Sequence, residues 1–283
     1  MQEKAVKLES GHRMPVLGLG TWQMAGKVCE ETVRKALELG YRHIDTAEAY
    51  GNQKEIGRAM KGFDRPELFL VSKAWTSNLG RDKIIRACER TLRELGTSYL
   101  DLYLIHWPNE SVPISETMAG MEELVKSGMV RSIGISNFDA RLTKEAMDAS
   151  GIPVSVNQVE FHPHLYQKEL LGFCSKHGIV VTAYCPLARG EALTDATIME
   201  IAESHGKTPA QVSLRWLVQH GLVVIPKTVS EAHLKENMDI FGWRLSAADM
   251  KKIDSIGISK RQVNPVYTNV PFFVVRAAQK FLH

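Results

Sequence analysis

The feature that most constrains this chain is an unbroken alternation of short apolar runs with helix-patterned stretches, repeated from one end to the other. After a hairpin expected to turn at 11–13, the run 16–20 leads into helix periodicity on Cys29, Val33, Ala36 and Leu37, which stops at Gly40. Ile44 before Asp45, then 68–73, 99–106, 130–136, 154–158, 179–184 and 222–227 continue the series, giving eight strands counted from Val16. No Pro/Gly-rich linker and no shift in composition interrupts them, so the pattern predicts an α/β fold: one (β/α)8 TIM barrel domain over 1–283 with an N-terminal β-hairpin. The alternative, a doubly wound sheet, announces its nucleotide site with G-x-G-x-x-G in the first βα turn. Here Gly18-Leu-Gly-Thr-Trp-Gln23 has the first two glycines and fails at the third, and Gly18 and Gly20 read more simply as small residues at the end of a tightly packed strand.

Composition narrows the chemistry. A net charge of +3 is too small to argue for a nucleic-acid or membrane surface, and the balance of apolar and charged residues is that of a globular protein acting on small molecules. The N-terminus lacks a basic-then-apolar leader and no apolar run approaches the roughly 20 residues of a membrane span, so a cytoplasmic protein is expected, and it is taken to act as a monomer. Cys29, Cys88, Cys174 and Cys185 show no CxxC spacing and are expected as thiols. Phe161-His-Pro-His-Leu165 offers two histidines without a third ligand beside them, poor grounds for a metal site. The apolar-rich tail 272–283 is expected to pack on the barrel or close to its site.

In a barrel, residues at the C-terminal ends of the strands converge on one rim, where active sites lie. That rim would gather Gly20, Thr21 and Trp22, Asp45 with Tyr50, Lys73, His106 with Trp107, Ser136 and Asn137, Gln158, Tyr184 and Lys227. Singly, each has an ordinary explanation: a satisfied core histidine, a snorkelling lysine, a loop tyrosine. Jointly, a carboxylate, an ammonium, a phenol and an imidazole at successive strand ends need a connected polar network. Such a set suits proton donation to a carbonyl oxygen. Lys73 would lower the pKa of Tyr50, Asp45 would hold Lys73 charged and in place, and His106 would donate to the substrate oxygen as charge develops there.

The stretches Asp45-Thr-Ala-Glu-Ala-Tyr-Gly-Asn-Gln-Lys-Glu-Ile-Gly57, Ser72-Lys73, Leu104-Ile-His-Trp-Pro108, Gly134-Ile-Ser-Asn-Phe138, Asn157-Gln-Val-Glu160, Ile225-Pro-Lys-Thr228 and Glu236-Asn237, in this order, resemble the aldo-keto reductase superfamily. Within it the chain is most similar to the short prokaryotic reductases of the diketogluconate reductase and prostaglandin F synthase type. The resemblance implies NADPH bound in an extended pose and reversible reduction of aldehydes, ketones or ketoacids, with Tyr50 as general acid and Asp45, Lys73 and His106 as its supporting set. It implies Ser136, Asn137 and Gln158 on the nicotinamide carboxamide, Tyr184 stacked on the ring, and Leu187 to Arg189 over the pyrophosphate. Lys227, Thr228 and Val229 with the following helix start would take the adenosine phosphate, and Glu236 and Asn237 the adenine; Gly20, Thr21, Trp22 and Asp45 complete the cofactor set.

His233 falls where NADPH-specific relatives usually carry an arginine, and a neutral histidine lacks the permanent charge and planar fork that suit a phosphate. The expectation is NADPH with some use of NADH. Trp22, Trp75 and Trp107 beside Tyr50 and His106 are expected to line the substrate pocket, and the brief segment 108–115 suggests an open, permissive one. Two other readings remain: a Schiff-base enzyme using Lys73, and an NADPH-binding redox-sensing subunit with slow turnover.

Overall fold

The computed structural model describes residues 4–263, so the tail 272–283 lies outside the described residues. Strands β1 (Ala5–Lys7) and β2 (Arg13–Pro15) form the antiparallel hairpin. Its turn sits at 8–12, where Leu8 N–H donates to His12 O and Gly11 N–H to Leu8 O, each at 2.8 Å. Arg13, expected in the turn, already pairs with Lys7, because Gly11 supplies the left-handed backbone (φ +88°) that reverses the chain earlier.

Eight parallel strands follow, each paired with its neighbour in chain order: β3 (Leu19–Gly20), β4 (His43–Asp45), β5 (Phe69–Ala74), β6 (Leu102–Ile105), β7 (Ile133–Ser136), β8 (Val154–Glu160), β9 (Val180–Tyr184) and β10 (Val223–Val224). A parallel bridge between Leu17 and Val224, with Gly18 N–H on Val224 O at 2.9 Å and Gly20 N–H on Pro226 O at 3.1 Å, joins last strand to first. The run expected at 222–227 keeps only two ladder residues, since Pro226 has no N–H to give and only accepts. A Cβ on Gly20 would lie 2.7 Å from Ile225 O, and one on Gly18 2.6 Å from the His43 ring. Both glycines therefore serve close packing at the barrel seam.

Ten helices surround the sheet: α1 (Gly26–Leu39), α2 (Gln53–Ala59), α3 (Arg81–Leu95), α4 (Ile114–Lys126), α5 (Ala140–Asp148), α6 (Lys168–Lys176), α7 (Ala196–His205), α8 (Pro209–Gln219), α9 (Glu231–Met238) and α10 (Ala247–Asp254) among the described residues. Their apolar stripes pack on the outward side chains of the strands, as Val33, Ala36 and Leu37 of α1 do before Gly40 ends the helix. No helix among the described residues is long and apolar enough to cross a membrane.

The barrel interior is a second, smaller core of Phe69, Val71, Leu102, Leu104, Val156 and Val223, closed from below by Leu8 and Met14 of the hairpin. The two-residue period of a strand then decides what stands above it. Phe69 and Val71 lead up to Lys73, Leu102 and Leu104 to His106, Val156 to Gln158, and His43 to Asp45. The apolar column ends and an ionisable layer begins.

Candidate active site

Asp45 and Lys73 meet inside this layer. Lys73 Nζ lies 2.6 Å from Asp45 Oδ1 and 3.0 Å from Thr46 O, and Gln158 Nε2 donates to the other carboxylate oxygen, Oδ2, at 2.7 Å. Asp45 is 2 % exposed and Lys73 fully buried, so the pair persists only because its remaining valences are bonded. Lys73 also reaches the Tyr50 hydroxyl at 3.4 Å. Tyr50 ends a tight turn, Glu48–Tyr50, closed by Gly51 in the left-handed conformation. His106 is buried beside it, its ring 5.7 Å from that of Tyr50 and nearly perpendicular, and its Nδ1 has no hydrogen-bond partner.

Burial sets the protonation of this group. The Tyr50 phenol is pushed well above its ordinary value by desolvation, reinforced by the Asp45 carboxylate. Lys73 was expected to pull it the other way; the ammonium is in place, but exclusion of water outweighs it, and that expectation is corrected. His106 is pushed well below its ordinary value by burial and then by the Lys73 charge, which keeps the imidazole neutral. Burial also pulls Lys73 down, opposed by its bond to Asp45.

A second polar chain runs from this centre across β7 and β9. Asn137 Nδ2 donates to His106 O at 3.0 Å and to Ser136 Oγ at 3.1 Å, Tyr184 donates its hydroxyl to Asn137 Oδ1 at 2.8 Å, and Ser136 Oγ donates to Gln158 O at 2.7 Å. Five non-glycine residues among those described have positive φ: Gln23, Asn137, Cys185, Ala188 and Arg189. All lie in the loops after β3, β7 and β9, where local strain often marks a functional site. Leu187 is half-buried, while Arg189 is exposed and holds its guanidinium 5.3 Å from the Trp22 ring centre.

Further round the rim, Lys227, Val229 and His233 are exposed and Thr228 half-buried at the start of α9, with Thr228 Oγ1 3.5 Å from His233 Nδ1. Glu236 accepts the Thr208 hydroxyl, and Asn237 is 3 % exposed. Of the three tryptophans, Trp22 and Trp107 are half-buried, but Trp75 is 3 % exposed and packs edge-on against His106 at 5.2 Å. It backs the imidazole instead of presenting an open wall.

Sequence reasoning missed two buried residues of the Tyr50 loop. Asn52 donates to Thr21 O and Met24 O and accepts from Thr46, locking the loops after β3 and β4 together. Glu48 accepts from the Trp75 backbone N–H, the Asn78 side-chain amide and the Arg90 guanidinium. An acid enclosed by Ala47 and Ala49 was the available signal. The two histidines of 161–165 are each engaged by a carboxylate, His162 by Glu160 and His164 by Asp195, both at 3.0 Å.

A profile of the Aldo/keto reductase family matches residues 16–258. The chain belongs to the aldo/keto reductase family. It is 44% identical over 259 residues to a glyoxal reductase of Bacillus subtilis, covering 90% of this chain and 94% of that one. A solved structure provisionally named 2,5-diketo-D-gluconic acid reductase B superposes with a TM-score of 0.90 at 39% identity, covering 94% and 95% of the two chains. An aldo-keto reductase of Bombyx mori solved with NADP superposes at 0.87 and 30% identity, covering 96% and 99%. This aldo/keto reductase is therefore an oxidoreductase acting on carbonyl compounds, from a family that uses nicotinamide cofactors. A cavity of about 250 Å³ beneath the segment 108–114 is lined by Leu79, Ile105, Val112 and Phe138 on the outer side of the barrel wall, and it contains none of Asp45, Tyr50, Lys73 and His106.

Proposed function

We propose that the protein reduces small aldehydes, ketones or ketoacids with NADPH, Tyr50 delivering the proton to the carbonyl oxygen. The observation that carries this reading is the bridge made by Lys73, 2.6 Å from Asp45 on one side and 3.4 Å from the Tyr50 hydroxyl on the other.

When bound at this rim, a nicotinamide cofactor would supply the hydride that the carbonyl carbon takes up. Tyr50, whose phenol holds its proton throughout the neutral range, donates it as negative charge grows on the substrate oxygen. The phenolate left behind faces the Lys73 ammonium, which stabilises the charge in a site that excludes water. Asp45 fixes that ammonium, and Gln158 fixes Asp45. The neutral imidazole of His106 carries one proton; with Nδ1 enclosed and unbonded, a proton on Nε2 makes the ring a donor to the substrate oxygen. A Schiff-base role for Lys73 fits less well, since its three N–H groups are engaged by Asp45, Thr46 and Tyr50.

The donor set along the rim suits a nicotinamide dinucleotide: the amides of Asn137 and Gln158 with the Ser136 hydroxyl for a carboxamide, the half-buried Tyr184 ring for stacking, and Arg189 and Lys227 for phosphates. The N-terminus of α9, with Thr228 and Val229 before it, adds backbone N–H groups of the kind that hold phosphates. Glu236 and Asn237 remain the proposed adenine side.

The test follows oxidation of NADPH with a panel of aldehydes, diketones and ketoacids in wild type and Tyr50→Phe. Turnover is expected to fall on the order of 10² to 10⁴-fold in the variant, the usual worth of a positioned general acid, while NADPH still quenches protein fluorescence. Undiminished turnover in Tyr50→Phe overturns the assignment, and cofactor binding without turnover in the wild type would favour a sensor.

A further inference from the structure

We propose that Glu48 is a positioning residue of the reduction, holding the His106 imidazole in register with Tyr50 through Trp75. The proposal rests on the function proposed above. Glu48 lies two residues before Tyr50 on the same tight turn and is 2 % exposed. A carboxylate in that position is costly unless every oxygen is bonded, and here three donors from two elements converge on it. Oε1 accepts the backbone N–H of Trp75 and the Asn78 amide, the latter at 2.9 Å, and Oε2 accepts Arg90 of α3 at 2.8 Å.

None of these donors is part of the reacting set, so Glu48 acts at one remove. Trp75, whose backbone it holds, sets its indole edge-on against His106 at 5.2 Å and 82°, and His106 in turn meets Tyr50 at 5.7 Å and 76°. His106 needs this support. Its Nδ1 makes no hydrogen bond, so no side-chain bond at that nitrogen fixes the twist of the ring, and the flanking rings must do so. One carboxylate thus governs both sides of the imidazole: its own turn carries Tyr50 and its hydrogen bond carries Trp75. The adjoining Thr76 O accepts Asn109 Nδ2 at 3.0 Å, which ties the segment after His106 and Trp107 to the same loop.

Chemistry explains why an acid stands here and not an amide. A carboxylate accepts on both oxygens, whereas a glutamine keeps the Trp75 and Asn78 bonds on one oxygen and turns an NH2 toward the Arg90 guanidinium. Glu48→Gln therefore loosens the turn without removing its bulk.

The experiment measures kcat and KM with 4-nitrobenzaldehyde, and NADPH affinity by fluorescence quenching, for Glu48→Gln, Trp75→Phe, their double variant and Arg90→Met. Small displacements at a reacting centre cost up to about a hundredfold, and kcat in Glu48→Gln is expected to fall about tenfold or more while NADPH affinity holds within about twofold. Because both changes act on one ring, the double variant is expected to be no slower than the slower single variant. Wild-type kcat in Glu48→Gln, an equal loss of NADPH affinity, or losses that multiply would each overturn the proposal. Should Glu48→Gln fail to fold, Arg90→Met, at the partly exposed end of the network, carries the same readouts with the same consequences. Turnover in the wild type with a silent Tyr50→Phe reports separately on the reductase reading.

Discussion

The two ends of the proposed site are built on opposite plans. At one, Asp45, Lys73, Gln158 and His106 are buried, and both Asp45 carboxylate oxygens and the Lys73 ammonium are bonded within the fold. At the other, Lys227, Val229 and His233 stand in solvent, and the contacts among them are local ones, such as Thr228 with His233 at 3.5 Å and Ser230 capping α9. The difference suits what each end would do in the proposed reaction. Charge that develops during a reaction is best met by groups already fixed in a dry environment, where electrostatics is strong. A ligand that binds and leaves at every turnover needs charges that water can reach, and these are weaker and screened.

The largest break in this contrast is Lys73→Met. It strands the Asp45 carboxylate with Gln158 as the remaining side-chain donor on it, and removing one partner of a buried pair costs about 3–5 kcal/mol. The same change at exposed Lys227 should leave stability within about 0.5 kcal/mol and weaken cofactor binding instead. Denaturant unfolding of both variants checks this, and equal losses would erase the distinction between the two ends.

A smaller effect is the pH response. Burial moves Tyr50 up and His106 down, so both keep the protonation that the proposed reaction calls for across the neutral range. We expect kcat/KM for carbonyl reduction to stay flat from about pH 6.5 to about pH 9, inside the ordinary values of histidine and tyrosine. Stability has a definite sign. His43, like His106, is pushed down by burial, so the unfolded chain takes up protons below about pH 6.5 that the native state refuses. Stability should therefore be level above that pH and decline as pH falls through it; stability that stayed level through that interval would show the histidines to be unshifted, and a rise would show them shifted upward.

Legibility in the sequence followed the same divide. The barrel was readable because period-two alternation and eight apolar runs are local patterns, and the inward columns carried Lys73, His106 and Gln158 to the rim by counting alone. Contacts across long separations were not. The partners of Glu48 lie 27, 30 and 42 residues away, and no spacing rule connects them. Trp75 looked like a pocket wall because its place after a strand was visible, but its burial behind His106 was not. The direction of the Tyr50 shift failed for a related reason: a sequence shows which charge stands nearby, not how much water is excluded.

The smallest effect sharpens the contrast from its exposed end. His233 sits in the first turn of α9, its backbone N–H on the Ser230 hydroxyl, exposed and beside Thr228. A neutral imidazole offers a phosphate neither permanent charge nor a planar fork of donors, while an arginine offers both. His233→Arg should then raise the preference for NADPH over NADH, measured as the ratio of kcat/KM values, by up to about tenfold, the upper worth of one charge-assisted bond after solvent screening. Because the added charge is in water, raising the salt concentration should shrink the gain, whereas turnover at the buried end should hardly respond. No gain would remove His233 from the 2′-phosphate site, and a gain indifferent to salt would mean that this end of the site, once occupied, is as dry as the other.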